Sequence, residues 1–183
     1  MRSSYFNALN YGDVISTITF LQNPSKIVEF GILDGFSLQT FANSVSSQCE
    51  IEAYDIFDEF NGNHATSDIA IKFSSYANVS IKYGDFYKFW NNYENESIDI
   101  LHIDIANNGD VYEYTFEHWM NKVKYGGVII FEGGSKERDE IEWMNKYNKP
   151  KICPIIQKYS KDYEIKTIGT IPSITIVQRC AKK

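Results

Sequence analysis

The stretch Lys26 to Ser37, KIVEFGILDGFS, constrains this chain more than any other. Ile27, Val28 and Phe30 make a short apolar run suited to a strand buried on both faces. Gly31 ends the run and Gly35 follows. Ser37 is then placed to cap a helix carrying Leu38, Phe41, Ala42 and Val45 at helical spacing. Strand, glycine-bearing turn and helix N-terminus in that order make a nucleotide-binding corner, because glycine admits a close ligand and the helix end offers unpaired N–H groups. The spacing G-x-x-x-G is not the dinucleotide fingerprint G-x-G-x-x-G, since Leu33 stands where its middle glycine would be. Glu29 adds weight, because a carboxylate inside an apolar strand is costly unless something uses it. An ordinary tight strand-to-helix turn is the plainer alternative.

The 183 residues suit one domain, 1–183, with 1–25 as an N-terminal helical segment ahead of the first strand. A hydrophobic content of 43% and an aromatic content of 15% describe a globular chain with a sizeable core. The net charge of −6 argues against nucleic acid as the main partner, since phosphate binding needs clustered Lys and Arg. The apolar runs are too short to span a membrane. VISTITFL, broken by hydroxyl residues, makes a poor signal peptide. Cys49, Cys153 and Cys180 are odd in number and widely spaced, so they read as reduced thiols in a cytoplasmic protein rather than metal ligands.

The motif V-E-F-G-x-x-x-G-x-S resembles motif I of the class I S-adenosylmethionine-dependent methyltransferases. More narrowly, it resembles the small-molecule O-methyltransferases of the family-24-like and macrocin-O-methyltransferase-like groups. The resemblance implies that Gly31 and Gly35 line the methionine part of the cofactor, with Glu29 and Ser37 beside them.

Along the chain, Val14, Ile18 and Leu21 recur on one face of a helix that Pro24 closes, with Tyr5, Phe6 and Tyr11 ahead of it as packing aromatics. IEAYD, Ile51 to Asp55, is a short strand ending in an acid. A carboxylate at that tip can accept both ribose hydroxyls of an adenosine, and Ile56 would lie against the adenine face. A solvated strand-end carboxylate is the other reading. YDIFDEFNG loosely resembles the D-x-F-x-G segment of the macrocin-like group, while Asp58, Glu59 and His64 read as solvated loop residues. Thr66 to Ala77 fits a helix with Ile69, Phe73 and Tyr76 inward, and VSIKY a third strand. At its end the resemblance implies that Asp85 meets the adenine amino group and that Phe86 lies against the ring, although Gly84-Asp85 also simply makes a turn.

SIDILHID, Ser97 to Asp104, is a compact strand with Asp104 emerging at its carboxyl end, where doubly wound sheets place ligands. Asn107, Asn108 and Gly109 separate Asp104 from Asp110. Asp104 matches the family's first acid by position and Asp110 its second by the context G-D-x-Y-E-x-T, so either is a candidate base; Asp104 also counts toward the cofactor site. Val111 to Lys124 fits a helix with Phe116, Trp119, Met120 and Val123 inward and His118 as a packed or surface residue. K-Y-G-G-V-I-I-F closely resembles the family's fifth-strand segment. Metal-dependent relatives end that strand with acids that complete a divalent-cation site, whereas this chain has Glu132-Gly133, which predicts no bound metal. Ser135 to Asn148 reads as a charged helix with Ile141 and Met144 inward, and Pro150 to Pro154 as a connector. YEIKTIG and SITIVQ read as two antiparallel strands.

The resulting expectation is an α/β fold: a doubly wound, mostly parallel seven-stranded sheet with a C-terminal antiparallel pair. The implied activity is methyl transfer from S-adenosylmethionine to a small-molecule acceptor, most simply at a hydroxyl oxygen. Two alternatives stay open: a NAD-dependent oxidoreductase on a Rossmann sheet, and a cofactor-binding protein without methyl transfer.

Overall fold

A computed structural model describes residues 11–59 and 68–180. The expectations placed on Tyr5, Phe6, Gly62, His64 and Thr66 lie outside the described residues. The helix α1 (Tyr11–Gln22) precedes the strand β1 (Lys26–Phe30), and α2 (Phe36–Ser44) leads to β2 (Glu50–Asp55). Then come α3 (Ile69–Lys72), β3 (Val79–Tyr83), α4 (Phe86–Phe89), β4 (Ile98–Ile103) and α5 (Gly109–Tyr114). The chain closes with β5 (Val123–Glu132), three helices, α6 (Lys136–Asp139), α7 (Glu142–Lys146) and α8 (Ile152–Tyr159), and the strands β6 (Glu164–Gly169) and β7 (Ser173–Gln178).

The seven strands form one sheet in the order β3-β2-β1-β4-β5-β7-β6. The first five run parallel, while β7 is antiparallel to both β5 and β6. The fold class and the terminal pair are as the sequence predicts. The parallel strands put the ends of β1, β2, β3, β4 and β5 along one edge. The sheet separates two apolar layers. One holds Phe30, Phe86, Trp119 and Phe131, the other Ile15, Ile27, Phe41 and Ile130.

Several boundaries differ from expectation for physical reasons. The fully buried face of α1 is Tyr11, Ile15 and Thr19; of the expected stripe, Val14 and Ile18 pack partly buried against the same core, whereas Leu21 is 73% exposed. The expected helix over 66–77 contracts to α3, because Ser74, Ser75 and Asn78 favour local turns over helix. After α5 the helix runs through a wide turn (Thr115–Trp119) and a tight one (Met120–Lys122). Val123 therefore starts β5 rather than ending a helix. Gly126, at φ 81°, and Gly127 lie within that strand instead of breaking ahead of it. The expected helix over 135–148 is two short ones, α6 and α7. The expected connector at Pro150–Pro154 is the start of α8, where a proline in the first turn costs no hydrogen bond. The buried Asp139 receives the N–H groups of Ile152 (2.7 Å) and Cys153 (2.8 Å) and so caps α8.

Candidate active site

At the carboxyl edge of the sheet the turn after β1 is held by its neighbours. The Gly31 N–H bonds the Tyr54 carbonyl at 2.9 Å, and the Asp104 N–H bonds the Phe30 carbonyl at 2.9 Å. Gly31 adopts φ 91°, and a Cβ there would lie 2.0 Å from the Asp104 carbonyl oxygen. Leu33 takes φ 48°, a left-handed conformation in which a leucine is strained, at the place where the dinucleotide fingerprint has its middle glycine. Gly35, at φ 76°, is the N-cap of α2. The sequence predicts Ser37 as the cap; it lies instead in the first helical turn.

The Ser37 hydroxyl instead donates to Glu29 Oε1 at 2.5 Å, and His102 Nδ1 lies 2.8 Å from the same oxygen. Glu29 and His102 are completely buried, and Glu29 Oε2 has no hydrogen-bond partner among the described residues. A buried carboxylate oxygen left without a donor is expensive. This one sits on the residue preceding Phe30 and the glycine turn.

Asp55 is 7% exposed at the tip of β2. Its Oδ2 accepts the Ile32 N–H and its Oδ1 the Phe57 N–H, each at 2.9 Å. Asp55 thus ties the β1 turn to the end of β2, and Ile56 beside it is half-buried. Asp85 caps α4 by accepting the Tyr87 N–H at 2.9 Å and pairs with Lys88 at 2.8 Å. The Phe86 ring turns into the core, stacked on Trp119 and edge-on to Phe30. It offers no face to solvent. Tyr87, 43% exposed, is the ring from this turn that does, a residue the sequence reading overlooked for want of any motif signal.

Asp104 and Asp110 part company. Asp104 is half-buried just beyond β4, against the Gly31 turn, and its charge helps hold the Arg138 guanidinium protonated. Asp110 is exposed in the first turn of α5, behind the Asn108 cap. Burial, with the charges of Asp110 and Asp85, pushes the Tyr87 hydroxyl above its ordinary range.

Glu132, at the end of β5, points inward to Arg138. Arg138 Nε reaches Oε1 at 2.9 Å and Nη2 reaches Oε2 at 3.0 Å. The Asn107 amide donates to the carbonyls of Ile103 (2.8 Å) and Glu132 (2.9 Å), joining the ends of β4 and β5. Burial works against the charge on Arg138, yet Glu132 holds it above the ordinary arginine range. A groove of about 330 Å³ between α1 and the β5-β7-β6 face, lined by Ile18, Leu21, Val128 and Ile176, lies away from this edge and gathers neither the glycine turn nor the acids.

Three comparisons place this geometry. A family model described as a methyltransferase domain matches residues 28–132, from β1 to the end of β5. No curated protein matches the chain. Among solved structures, the O-methyltransferase from Bacillus cereus in complex with SAH superposes with a TM-score of 0.69 at 18% identity, covering 96% of this chain and 84% of that one. The O-methyltransferase TomG from Streptomyces achromogenes, involved in tomaymycin synthesis and solved with SAM, gives a TM-score of 0.71 at 13% identity, with coverages of 95% and 81%. A methyltransferase from Geobacter sulfurreducens gives 0.64 at 15%, with 93% and 78%. At these identities the structural likeness is one of fold.

Proposed function

Since this chain belongs to the family of methyltransferase domains matched over residues 28–132, we propose that it transfers a methyl group from S-adenosylmethionine to a hydroxyl oxygen of a small molecule. The observation that carries the reading is the buried Glu29 Oε2, without a hydrogen-bond partner among the described residues, beside a turn in which Gly31, Leu33 and Gly35 all have positive φ. An orphaned carboxylate oxygen beside a glycine turn suits a cationic ligand. With Asp55 and Asp104 on the same edge, the acidic set fits a cofactor that bears a sulfonium and an ammonium group.

The bound cofactor would supply an already activated methyl group. The chain's part is to bind, orient and take up a proton. Gly31 and Gly35 leave room along the turn, and Ser37 and His102 hold Glu29 by one oxygen. Asp55, at the tip of β2, is the acid placed for the ribose hydroxyls, since a carboxylate can accept from more than one donor at each oxygen. Ile56 and Asp85 flank the adenine side. Tyr87 takes over there as the exposed ring, and Phe86 supports it from the core. Asp104, against the glycine turn, is the nearer candidate to accept the acceptor's proton. Asp110, on the α5 side, is the second. With no helix among the described residues long and apolar enough to cross a membrane and three free cysteines, we assign the protein to the cytoplasm.

The test is turnover. The protein is incubated with S-adenosylmethionine labelled in its methyl group and a panel of hydroxylated, aminated and thiol acceptors. Label recovered as a methyl ether supports the proposal. Cofactor binding with no transfer to any acceptor would favour a binding protein instead.

A further inference from the structure

The acids that the resemblance assigns to a divalent cation do not fit one here. Gly133 offers no side chain, and both Glu132 oxygens are taken by Arg138. Among the described residues no group of three or more His, Cys, Asp or Glu could hold a metal ion. We propose that the Arg138 guanidinium itself occupies the cation's place between the ends of β4 and β5, as a built-in positive charge.

The backbone after β5 delivers that side chain. Gly133 and Gly134 reverse the chain at φ 95° and 106°, and a Cβ on Gly134 would fall 2.0 Å from Thr175 Oγ1. Ser135 then caps α6 by accepting the Arg138 N–H at 3.0 Å, fixing the backbone from which the guanidinium folds back over Glu132. Arg138 is only 8% exposed. Its planar fork matches the carboxylate at two points, and Nη2 also reaches the Asn107 carbonyl oxygen at 3.4 Å. Oxygen atoms of Glu132 and Asn107 therefore surround a buried cation, with the Asp104 charge close enough to act on it. Among the described residues neither Nη1 nor Asn107 Oδ1 has a hydrogen-bond partner. A buried donor without a partner leaves the caged guanidinium one hydrogen bond short, which an entering oxygen could supply. Its use in catalysis rests on the methyltransferase reading; the replacement of the metal does not.

Emptying the cage tests it. Mn²⁺ binding is measured by titration calorimetry and by melting temperature on wild type, Arg138→Ala, Arg138→Lys, and Arg138→Ala combined with Glu132→Gln. Wild type and Arg138→Lys should bind Mn²⁺ weakly, whereas Arg138→Ala, with Glu132 uncovered, should bind at least tenfold more tightly and melt higher as Mn²⁺ is added. The double variant should lose that gain. If Arg138→Ala does not fold alone, recovery of the folded state on adding Mn²⁺ supports the proposal, and failure to recover counts against it. A folded Arg138→Ala that binds Mn²⁺ no better than wild type overturns it, as does tight Mn²⁺ binding by wild type. The S-adenosylhomocysteine melting shift, read on the same samples, reports separately on the cofactor site.

Discussion

A Cβ on Gly31 would stand 2.0 Å from the carbonyl oxygen of Asp104. The glycine that ends β1 is thus required by the loop after β4, whatever ligand also uses the space. Gly31→Ala must push that loop away and hold alanine at φ 91°. The left-handed backbone costs ~1–2 kcal/mol, and the forced repacking a further ~1–3 kcal/mol. Urea denaturation should show a loss of that combined order, and cofactor binding should fall with it, since the Asp104 loop moves. An alanine variant of wild-type stability would mean that β1 and β4 do not approach this closely.

Asp55 carries two duties, so its variants should separate them. Asp55→Ala strips the acceptor from the Ile32 and Phe57 N–H groups, costing ~1–3 kcal/mol of stability for a buried group left unpaired. Asp55→Asn keeps one acceptor oxygen and should lose less stability, yet still bind S-adenosylhomocysteine at least tenfold more weakly. Full affinity in Asp55→Asn would show that another acid holds the ribose.

Glu52 supplies a pH dependence. It is 8% exposed in β2, where burial opposes its charge, but Tyr93, Lys82 and Lys26 outweigh burial and hold its carboxyl below the usual range. A depressed folded-state value means the stabilisation is complete above the unfolded value and disappears as pH falls through the folded one. Unfolding free energy should therefore drop below the ordinary glutamate range, and Glu52→Gln should flatten that part of the profile while lowering stability at neutral pH. An unchanged acid limb in Glu52→Gln would assign the effect to other carboxylates.

The cysteines should differ in reactivity. Burial pushes the thiols of Cys49 and Cys153 up to about 11, leaving about one in a thousand ionised at pH 8. Cys180 is exposed. Maleimide labelling of native protein should modify Cys180 first, with Cys49 and Cys153 following only on unfolding or at strongly alkaline pH. Rapid modification of Cys49 in native protein would contradict its burial.

What the sequence made legible were the features carried by local pattern. The run from Ile27 to Gly35, the strand from Val128 to Phe131 and the closing pair need only neighbouring residues to declare themselves. Partnerships across the chain stayed hidden. KERDE reads as a solvated helix face, yet Arg138 turns in to Glu132 and Asp139 caps a helix that begins at Ile152. Phe86 and Tyr87 stand side by side in sequence, and only the packing of Phe30 and Trp119 decides which ring is buried. Ser37 looks like a cap because serine commonly is one. Its hydroxyl goes to Glu29 because a buried carboxylate needs the donor more.

The most direct measurement of the central claim is the melting temperature with S-adenosylhomocysteine and, separately, with NAD. At about 100 times its Kd, S-adenosylhomocysteine should add about 2.7 kcal/mol of stability, a clear upward shift. Glu29→Gln should reduce that shift, and NAD should leave the melting temperature where it was. A shift with NAD and none with S-adenosylhomocysteine would contradict the methyltransferase account.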